Sequence, residues 1–212
     1  MNNKDKVAVL TGAGRGIGAT AGIRLLNDGF TVYFTDMNLE RTEEFIASLD
    51  QFKEKAFALQ IQVTDDESVN KAIQFVGEKH GKIDLLVNNA GITNQKPTQD
   101  IPTKDWTQLI DVHLGGTFRC SRAAFPYLKA ANGAAIVNVS SIAGRLGMPI
   151  RASYCAAKAG IEGFGRSLAT EWAEFGIRVN TVAPGYVMTD LIQKDLNNGL
   201  VSEEVLSTRI SL

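Results

Sequence analysis

The chain has 212 residues, of which 44% are hydrophobic, and 22 Lys and Arg nearly balance 23 Asp and Glu. This length suits one domain with a full core, and the balanced charge disfavours nucleic acid or a membrane surface as a partner. Two cysteines are too few for a disulfide framework or a zinc site, and no apolar run approaches the ~18 residues that span a bilayer, so a reducing, cytoplasmic setting is expected.

Short apolar segments alternate with amphipathic segments along the whole chain. Several apolar segments are hydrophobic throughout, as expected for strands that are covered on both faces. This alternation predicts right-handed crossovers and an α/β fold: a doubly wound, Rossmann-like parallel sheet with helices on both faces, in a single domain over residues 1–212. The predicted strands are 6–11, 31–36, 56–62, 85–89, 134–140 and 178–183, and the predicted helices are 16–28, 39–50, 66–80, 103–131 and 153–175.

A glycine-rich turn, Thr11-Gly-Ala-Gly-Arg-Gly-Ile-Gly18, joins the first predicted strand to the first predicted helix. Gly12 allows a sharp turn, while Gly16 and Gly18 allow backbone to approach a pyrophosphate and the helix to pack against the strand. The helix N-terminus then directs its N–H groups at the phosphates. The turn therefore predicts a dinucleotide site.

Asp36 ends the second predicted strand, eighteen residues after Gly18. A carboxylate at this place accepts hydrogen bonds from an adenosine ribose and repels a 2′-phosphate. Arg15, in the glycine turn, could instead pair with a 2′-phosphate. The repulsion between an unpaired carboxylate and a phosphate dianion outweighs the attraction between that phosphate and one exposed arginine. NAD is therefore predicted over NADP.

Tyr154 and Lys158 lie four residues apart in a predicted helix, so that the phenol and the ammonium share one face. Lowering the pKa of a tyrosine by ~2.5 units needs roughly 3.4 kcal/mol. A positive charge ~4 Å away supplies about 4 kcal/mol at an effective dielectric of ~20. Lys158 is therefore predicted to lower the pKa of Tyr154 and make it a proton-transfer group.

Four ordered motifs then make the chain resemble the short-chain dehydrogenase/reductase family, from about residue 6 to residue 190. They are the glycine turn, Asn88-Asn-Ala-Gly91, Ser141 thirteen residues before Tyr154-x-x-x-Lys158, and Pro184-Gly185 followed by Thr189. The resemblance implies an enzyme that transfers a hydride between a nicotinamide cofactor and an alcohol or ketone. Metal is not expected.

The resemblance also implies roles for individual residues. Tyr154 would be the acid/base, Lys158 would hold the nicotinamide ribose, and Ser141 would hydrogen-bond the reacting oxygen. The implied cofactor-binding residues are Gly12, Arg15, Gly16, Ile17, Gly18, Asp36, Asn89, Gly91, Tyr154, Lys158, Pro184, Gly185 and Thr189. Two of them have simpler alternatives, because Ser141 could cap a turn and Thr189 could cap a helix.

His113 departs from the family, which usually has Asn at this place to hold a water that links the lysine to solvent. Histidine also offers a donor and an acceptor, but in a larger ring that titrates. Three interpretations stay open: His113 replaces Asn in a catalytic proton relay, it displaces the water, or it is rotated away and structurally satisfied. A change to Asn is expected to preserve or raise turnover.

The chain ends sooner than family members, which normally continue through another helix and a last strand. Residues 190–210 are expected to form a substrate loop, and the end is either a natural shortened form or a truncation. A homodimer or homotetramer is predicted through helices 103–131 and 153–175. Small residues that suit such packing are Ala156, Ala157, Gly160 and Gly163.

The substrate is predicted to be a modest secondary alcohol or ketone. Arg151 and Gln95 are possible polar anchors in a mostly apolar pocket. One alternative is a 3-oxoacyl reductase that acts on acyl carrier protein. Another, of a different class, is a nucleotide-binding regulatory protein without catalysis.

Overall fold

The computed structural model describes residue 3, residues 5–189 and residues 193, 196 and 197. A parallel sheet of six strands runs through this part of the chain, in the order β3-β2-β1-β4-β5-β6. The strands are β1 (Val7–Thr11), β2 (Thr31–Asp36), β3 (Ala56–Gln60), β4 (Leu85–Asn88), β5 (Ala135–Val139) and β6 (Arg178–Val182). The helices are α1 (Gly16–Asn27), α2 (Leu39–Ala47), α3 (Asp66–His80), α4 (Thr103–Ile110), α5 (Gly116–Ala130) and α6 (Ala152–Glu171).

The strand order places a crevice at the centre of the sheet. After β3, at one edge, the chain crosses back to form β4 on the other side of β1, and Val9 of β1 is in register with both Tyr33 and Leu86. Ligand sites in open α/β sheets form beyond the carboxyl ends of the strands at this reversal. The predicted doubly wound parallel sheet is therefore confirmed.

Apolar side chains cover both faces of the sheet. Alternate residues of a strand point to opposite faces, so Val7 and Val9 join one buried cluster while Ala8 and Leu10 join the other. The first cluster includes apolar residues of α3, α5 and α6, and the second includes Leu26 of α1. This explains why the strands read as continuous hydrophobic runs.

The predicted helix over 103–131 contains an irregular turn. A π-helical turn, Asp111–Gly115, separates α4 from α5 and contains the buried His113. An ion pair spans the turn, with Arg119 Nη2 2.7 Å from Asp111 Oδ1. Apolar spacing alone predicts a continuous helix here, because it does not register one extra residue in a single turn.

The expected substrate loop, 190–210, lies outside the described residues apart from residues 193, 196 and 197. Within the described part of the chain, no helix combines the length and the apolar character needed to cross a bilayer.

Candidate active site

A cleft of about 1080 Å³ lies along the carboxyl ends of the central strands. One end is formed by the glycine turn and the end of β2, and the cleft continues past the end of β4 to the π-turn. Predicted cofactor residues that line it are Gly12, Arg15, Gly16, Ile17, Asp36, Asn89, Gly91 and Thr189.

The glycine turn is tightly packed. Gly12 and Gly16 have φ values of 60° and 59°, which side chains rarely adopt. A Cβ on Gly12 would lie 2.7 Å from Ala90 Cα, and a Cβ on Gly18 would lie 2.6 Å from Asn89 Nδ2. The turn can therefore carry only glycine at these positions, and its backbone faces the cleft without side chains in between.

Asn89 holds the glycine turn in place. Its Nδ2 donates to the carbonyl oxygens of Thr11 and Gly12, both at 2.9 Å, and its backbone N–H donates to Thr11 Oγ1 at 3.0 Å. The Asn89 side chain, one of the implied cofactor-binding groups, thus bonds the strand end and the turn. Its contribution to the cleft is to shape this wall.

Asp36 is buried and pairs with three groups of its own chain. Its Oδ2 accepts from the Gly14 N–H at 3.3 Å, and its Oδ1 accepts from the Asn38 N–H at 3.1 Å. Arg41 Nη2 lies 2.8 Å from the same Oδ1. The Asp36 carboxylate is therefore paired within its own chain, and Arg41 compensates part of its charge.

Ser141 and Tyr154 meet beyond the end of β5. Ser141 caps the short 3-10 turn Ile142–Gly144 by accepting from the Ala143 N–H at 3.2 Å, and it also hydrogen-bonds the Tyr154 hydroxyl. Tyr154 lies in the first turn of α6. The capping role and the contact with the phenol are thus compatible.

Lys158 lies one turn further along α6 and is buried. Its Nζ donates to the Val139 carbonyl at 2.7 Å and lies 5.5 Å from the centre of the Tyr154 ring. Burial lowers the pKa of Lys158 to about 8. The ammonium therefore bonds the end of β5 and lies over the phenol ring.

The predicted lowering of the Tyr154 pKa by Lys158 is wrong for this arrangement. Burial raises the pKa of Tyr154, against smaller lowering effects of the Ser141 hydrogen bond and the Arg151 charge. The physical reason is the position of the ammonium, which bonds the Val139 carbonyl.

His113 packs between the backbone after β4 and the Tyr154 ring. Its Nε2 lies 2.6 Å from the Ile92 carbonyl oxygen and 3.1 Å from the Ile92 nitrogen, and its ring meets the Tyr154 ring edge to face at 5.4 Å. The shorter distance favours donation from Nε2 to the carbonyl. Nδ1 is then an acceptor that is buried without a hydrogen-bond partner among the described residues. Burial lowers the pKa of His113 to about 3, so the ring is neutral near pH 7.

The remaining predicted residues lie around this centre. Gly91 touches the imidazole, since a Cβ there would lie 2.3 Å from His113 Cε1. The Pro184 carbonyl accepts from the Ile142 N–H at 3.0 Å, whereas Gly185 has open space around it. Thr189 faces Gly16 across the cleft, and its carbonyl accepts from the Gln193 N–H at 2.9 Å.

The cleft residues fit a nicotinamide dinucleotide. The side-chain-free glycine turn and the start of α1 offer backbone N–H groups to a pyrophosphate. At the end of β2, Arg41 Nε is buried with no hydrogen-bond partner in the described part of the chain, so a donor remains for the adenosine end. The volume suits a ligand of that size.

Sequence reasoning missed several residues that shape the site. Arg41 stands five residues after Asp36, beside the Asn38 cap of α2, and this proximity was the available signal. A buried network in which Asn88 Nδ2 bonds Ser121 Oγ at 3.1 Å and Asn138 Oδ1 at 2.9 Å joins β4, α5 and β5. No local sequence pattern predicts this network, because its members are far apart in the chain.

Comparisons with known proteins agree with this geometry. Residues 6–199 match the short chain dehydrogenase family model. The chain is 37% identical over 195 residues to a cyclohexanol dehydrogenase of Acinetobacter sp. (strain SE19), covering 91% of this chain and 78% of the relative. It is 36% identical over 204 residues to a 3-oxoacyl-(acyl-carrier-protein) reductase of Staphylococcus aureus, covering 93% and 82%. The solved structure of ElxO with NADP bound superposes with a TM-score of 0.89 at 32% identity, covering 96% of this chain and 82% of that one.

Proposed function

The chain belongs to the short-chain dehydrogenase/reductase family and is an oxidoreductase, and we propose that it transfers a hydride between NAD(H) and a secondary alcohol or its ketone. The contact of Ser141 with the Tyr154 hydroxyl, beside the cleft that fits the cofactor, is the observation that supports this proposal most. The cyclohexanol dehydrogenase among its relatives adds support for an alcohol or ketone substrate.

Tyr154 would be the acid that completes carbonyl reduction. Because burial raises the pKa of Tyr154, the phenol carries its proton near neutral pH and can donate it to the substrate oxygen. Ser141, already bonded to the phenol, would hydrogen-bond the same oxygen and stabilise its developing negative charge. The bound cofactor supplies or accepts the hydride.

Lys158 is proposed to act on the cofactor and not to set the pKa of Tyr154. Its Nζ is fixed by the Val139 carbonyl and lies 5.5 Å from the phenol ring centre, and burial dominates the pKa of Tyr154. In alcohol oxidation the same residues act in reverse, and Tyr154 accepts the proton. Lys158 would also bind the nicotinamide ribose.

Asp36 is the residue proposed to favour NAD over NADP. A family member uses a nicotinamide dinucleotide, and the carboxylate at the end of β2 is placed to meet the adenosine ribose. Arg41 offsets part of its charge, and Arg15 lines the same end of the cleft, so the proposed preference is moderate. A relative bound to NADP is consistent with a moderate preference.

His113 is proposed to position the site and not to carry protons. A ring whose pKa is about 3 stays neutral at physiological pH, and its Nε2 is engaged by the Ile92 backbone. Its edge also supports the Tyr154 ring. None of the three interpretations above describes this arrangement in full, because the ring faces Tyr154 and its Nδ1 has no hydrogen-bond partner among the described residues.

A second candidate function is reduction of 3-oxoacyl groups on acyl carrier protein. It rests on the Staphylococcus aureus relative, whose identity to this chain is nearly equal to that of the alcohol dehydrogenase. Turnover of a carrier-linked 3-oxoacyl group at least tenfold above that of small ketones would favour it. The non-catalytic alternative is set aside by membership of this enzyme family.

The test follows absorbance of reduced nicotinamide with both cofactors over a panel of ketones and secondary alcohols. We expect turnover, and we expect Tyr154→Phe to lower kcat by about 10²–10⁴-fold because the phenol proton is lost. Tyr127→Phe, in α5 away from the cleft, is the matched control and should leave kcat unchanged. Equal activity of the wild type and Tyr154→Phe would refute the assigned role of Tyr154.

A further inference from the structure

Arg151 and Thr93 lie together beside the reacting tyrosine. Arg151 directly precedes α6, three residues before Tyr154, and its Nη1 donates to Thr93 Oγ1 at 3.3 Å. Thr93 belongs to the segment that follows β4, which is also the segment bonded by His113. A guanidinium and a hydroxyl from two different segments therefore meet near Tyr154.

The backbone fixes this arrangement at a cost in strain. Ile150 has a φ of 57°, a left-handed conformation that a β-branched residue rarely adopts and that costs of order 1–3 kcal/mol. Its carbonyl accepts from the Lys96 N–H at 3.0 Å, which ties the two segments together. Strained residues of this kind cluster at functional sites, and Ile150 directly precedes Arg151.

Exposed apolar residues adjoin both segments in the chain. Ile150, directly before Arg151, is 40% exposed, and Ile92, directly before Thr93, is 39% exposed. A guanidinium can form two parallel hydrogen bonds with a carboxylate, which makes arginine well suited to that group. The charge of Arg151 also reaches the reacting hydroxyl, since it lowers the pKa of Tyr154.

We infer that the substrate is a short oxo acid or the corresponding hydroxy acid, whose carboxylate is bound by Arg151 and Thr93 while its oxo oxygen meets Tyr154 and Ser141. This inference rests on the proposed function and names the substrate class of the same site. Side chains three residues apart at a helix start lie about 5–6 Å apart at Cβ, which suits a carboxylate two or three carbons from the carbonyl.

The reaction balances without a further reactant. The oxo carbon gains a hydride from NADH and its oxygen gains the proton of the Tyr154 hydroxyl. The oxo acid becomes a hydroxy acid, NADH becomes NAD⁺, and the phenol regains a proton from solvent. The carboxylate stays ionised on Arg151 throughout.

The experiment compares acetoacetate with its methyl ester, which keeps the ketone and removes the charge. We expect Arg151→Gln to lower kcat/KM for acetoacetate by about 10- to 100-fold, the range of one hydrogen-bonded charge contact, and to change that of the ester less than threefold. Arg151→Lys should retain part of the preference for acetoacetate over the ester. Thr93→Val should lower kcat/KM for acetoacetate more than kcat/KM for the ester. Arg166→Gln removes an exposed charge from the same helix and is the matched control.

Binding of both compounds, measured by calorimetry with the oxidised cofactor present, separates this inference from the proposed function. Acetoacetate that binds the wild type at least tenfold more tightly than Arg151→Gln supports the inference, even if the ketone panel shows no turnover. Equal binding of acetoacetate to both proteins overturns it. An equal loss of binding affinity for acetoacetate and its methyl ester in Arg151→Gln also overturns it. Arg151 would then affect binding through Tyr154 or through the stability of the fold.

Discussion

Burial acts in opposite senses on the two groups that are proposed to carry the proton. It raises the pKa of Tyr154 and lowers the pKa of Lys158 to about 8, so both shifts favour the neutral pair over phenolate and ammonium. The chain therefore holds a protonated phenol ready for donation. Spacing on a helix predicts which residues meet, and it does not predict how strongly each is desolvated.

His113 gives a prediction for stability against pH. Its pKa is lowered from 6.5 to about 3 in the folded chain, so below pH 6.5 the unfolded chain binds a proton that the folded chain does not. Stability from this group is therefore complete above pH 6.5 and is lost as pH falls towards 3. Between pH 7 and pH 5 the free energy of unfolding should fall by about 2 kcal/mol because of this group, which urea unfolding at each pH measures.

The His113→Asn variant should lack this component, so its free energy of unfolding should change by about 2 kcal/mol less over the same pH range. Because Asn can also bond the Ile92 backbone, kcat should stay within about threefold of the wild type. A parallel pH dependence of the two proteins would contradict the burial argument. A large loss of kcat with unchanged stability would instead give His113 a role in proton transfer.

The Asp36–Arg41 pair gives a prediction for cofactor choice. Arg41→Gln leaves the Asp36 charge uncompensated, so the ratio of kcat/KM for NADPH to that for NADH should fall about tenfold, or 1.4 kcal/mol. Asp36→Ala should raise the same ratio, because Arg15 and Arg41 then face the 2′-phosphate. Steady-state kinetics with both cofactors measures the ratio, and Arg24→Gln on the exposed face of α1 is the control. An unchanged ratio in both variants would remove Asp36 from cofactor selection.

At the scale of elements, close approach of α1 to β2 holds the glycine turn against the sheet. A Cβ on Gly22 would lie 2.1 Å from Phe34 Cε1, and the Phe34 ring is fully buried. Gly22 therefore sets how near the helix comes to the strand. The N-terminus of α1 faces the cleft because of this contact.

Gly22→Ala should thus lower the free energy of unfolding by about 1–3 kcal/mol, since the added methyl group overpacks the core. Gly163→Ala is the control, because its Cβ would meet nothing closer than Arg166 Nη2 at 3.8 Å and the change should be neutral or slightly stabilising. Urea unfolding followed by circular dichroism measures both. Equal stability of the two variants would show that α1 can shift away from Phe34 with no loss in the free energy of unfolding.

The π-turn between α4 and α5 is the second element that decides the site. It places His113 against Ile92 and Tyr154, and the Asp111–Arg119 ion pair spans it. A regular helix would rotate every following side chain of α5 by about one residue, or roughly 100°. The site thus depends on a backbone irregularity that amphipathic spacing does not reveal.

At the scale of the molecule, the predicted subunit contacts need revision. Ala157 is buried within its own chain, and a Cβ on Gly160 would lie 2.9 Å from Leu114, so these two residues pack internally. Larger apolar side chains are exposed on the same helices, with Phe118 44% and Trp106 40% exposed. They are the better candidates for a contact between copies.

We therefore predict a homodimer or homotetramer in which Phe118 is buried between subunits. Phe118→Asp should weaken association by at least about 30-fold, because a charge replaces a buried aromatic anchor. Phe75→Asp, which alters a phenylalanine of α3 that is 49% exposed, should leave association unchanged. Light scattering across a dilution series gives the oligomeric state. A monomeric wild type at micromolar concentration would refute the prediction.

The sequence by itself determined the features that arise from local periodicity. All six strands, the glycine turn with its helix and the carboxylate at the end of β2 follow from alternation, from glycine geometry and from the position of Asp36 after a buried strand. The helical spacing of Tyr154 and Lys158 predicted that they share one face, and the family resemblance added Ser141 to the same site. These features depend on residues near one another in the chain.

Only the tertiary structure decided what each functional side chain touches. Lys158 bonds the Val139 carbonyl, Arg41 bonds Asp36, and His113 is buried against Ile92. Desolvation and Coulomb interactions depend on distances that the whole fold sets, so the directions of the pKa shifts at Tyr154, Lys158 and His113 could not be obtained from spacing. The same holds for Arg151, whose position beside Tyr154 and Thr93 results from a strained residue and a hydrogen bond between two loops.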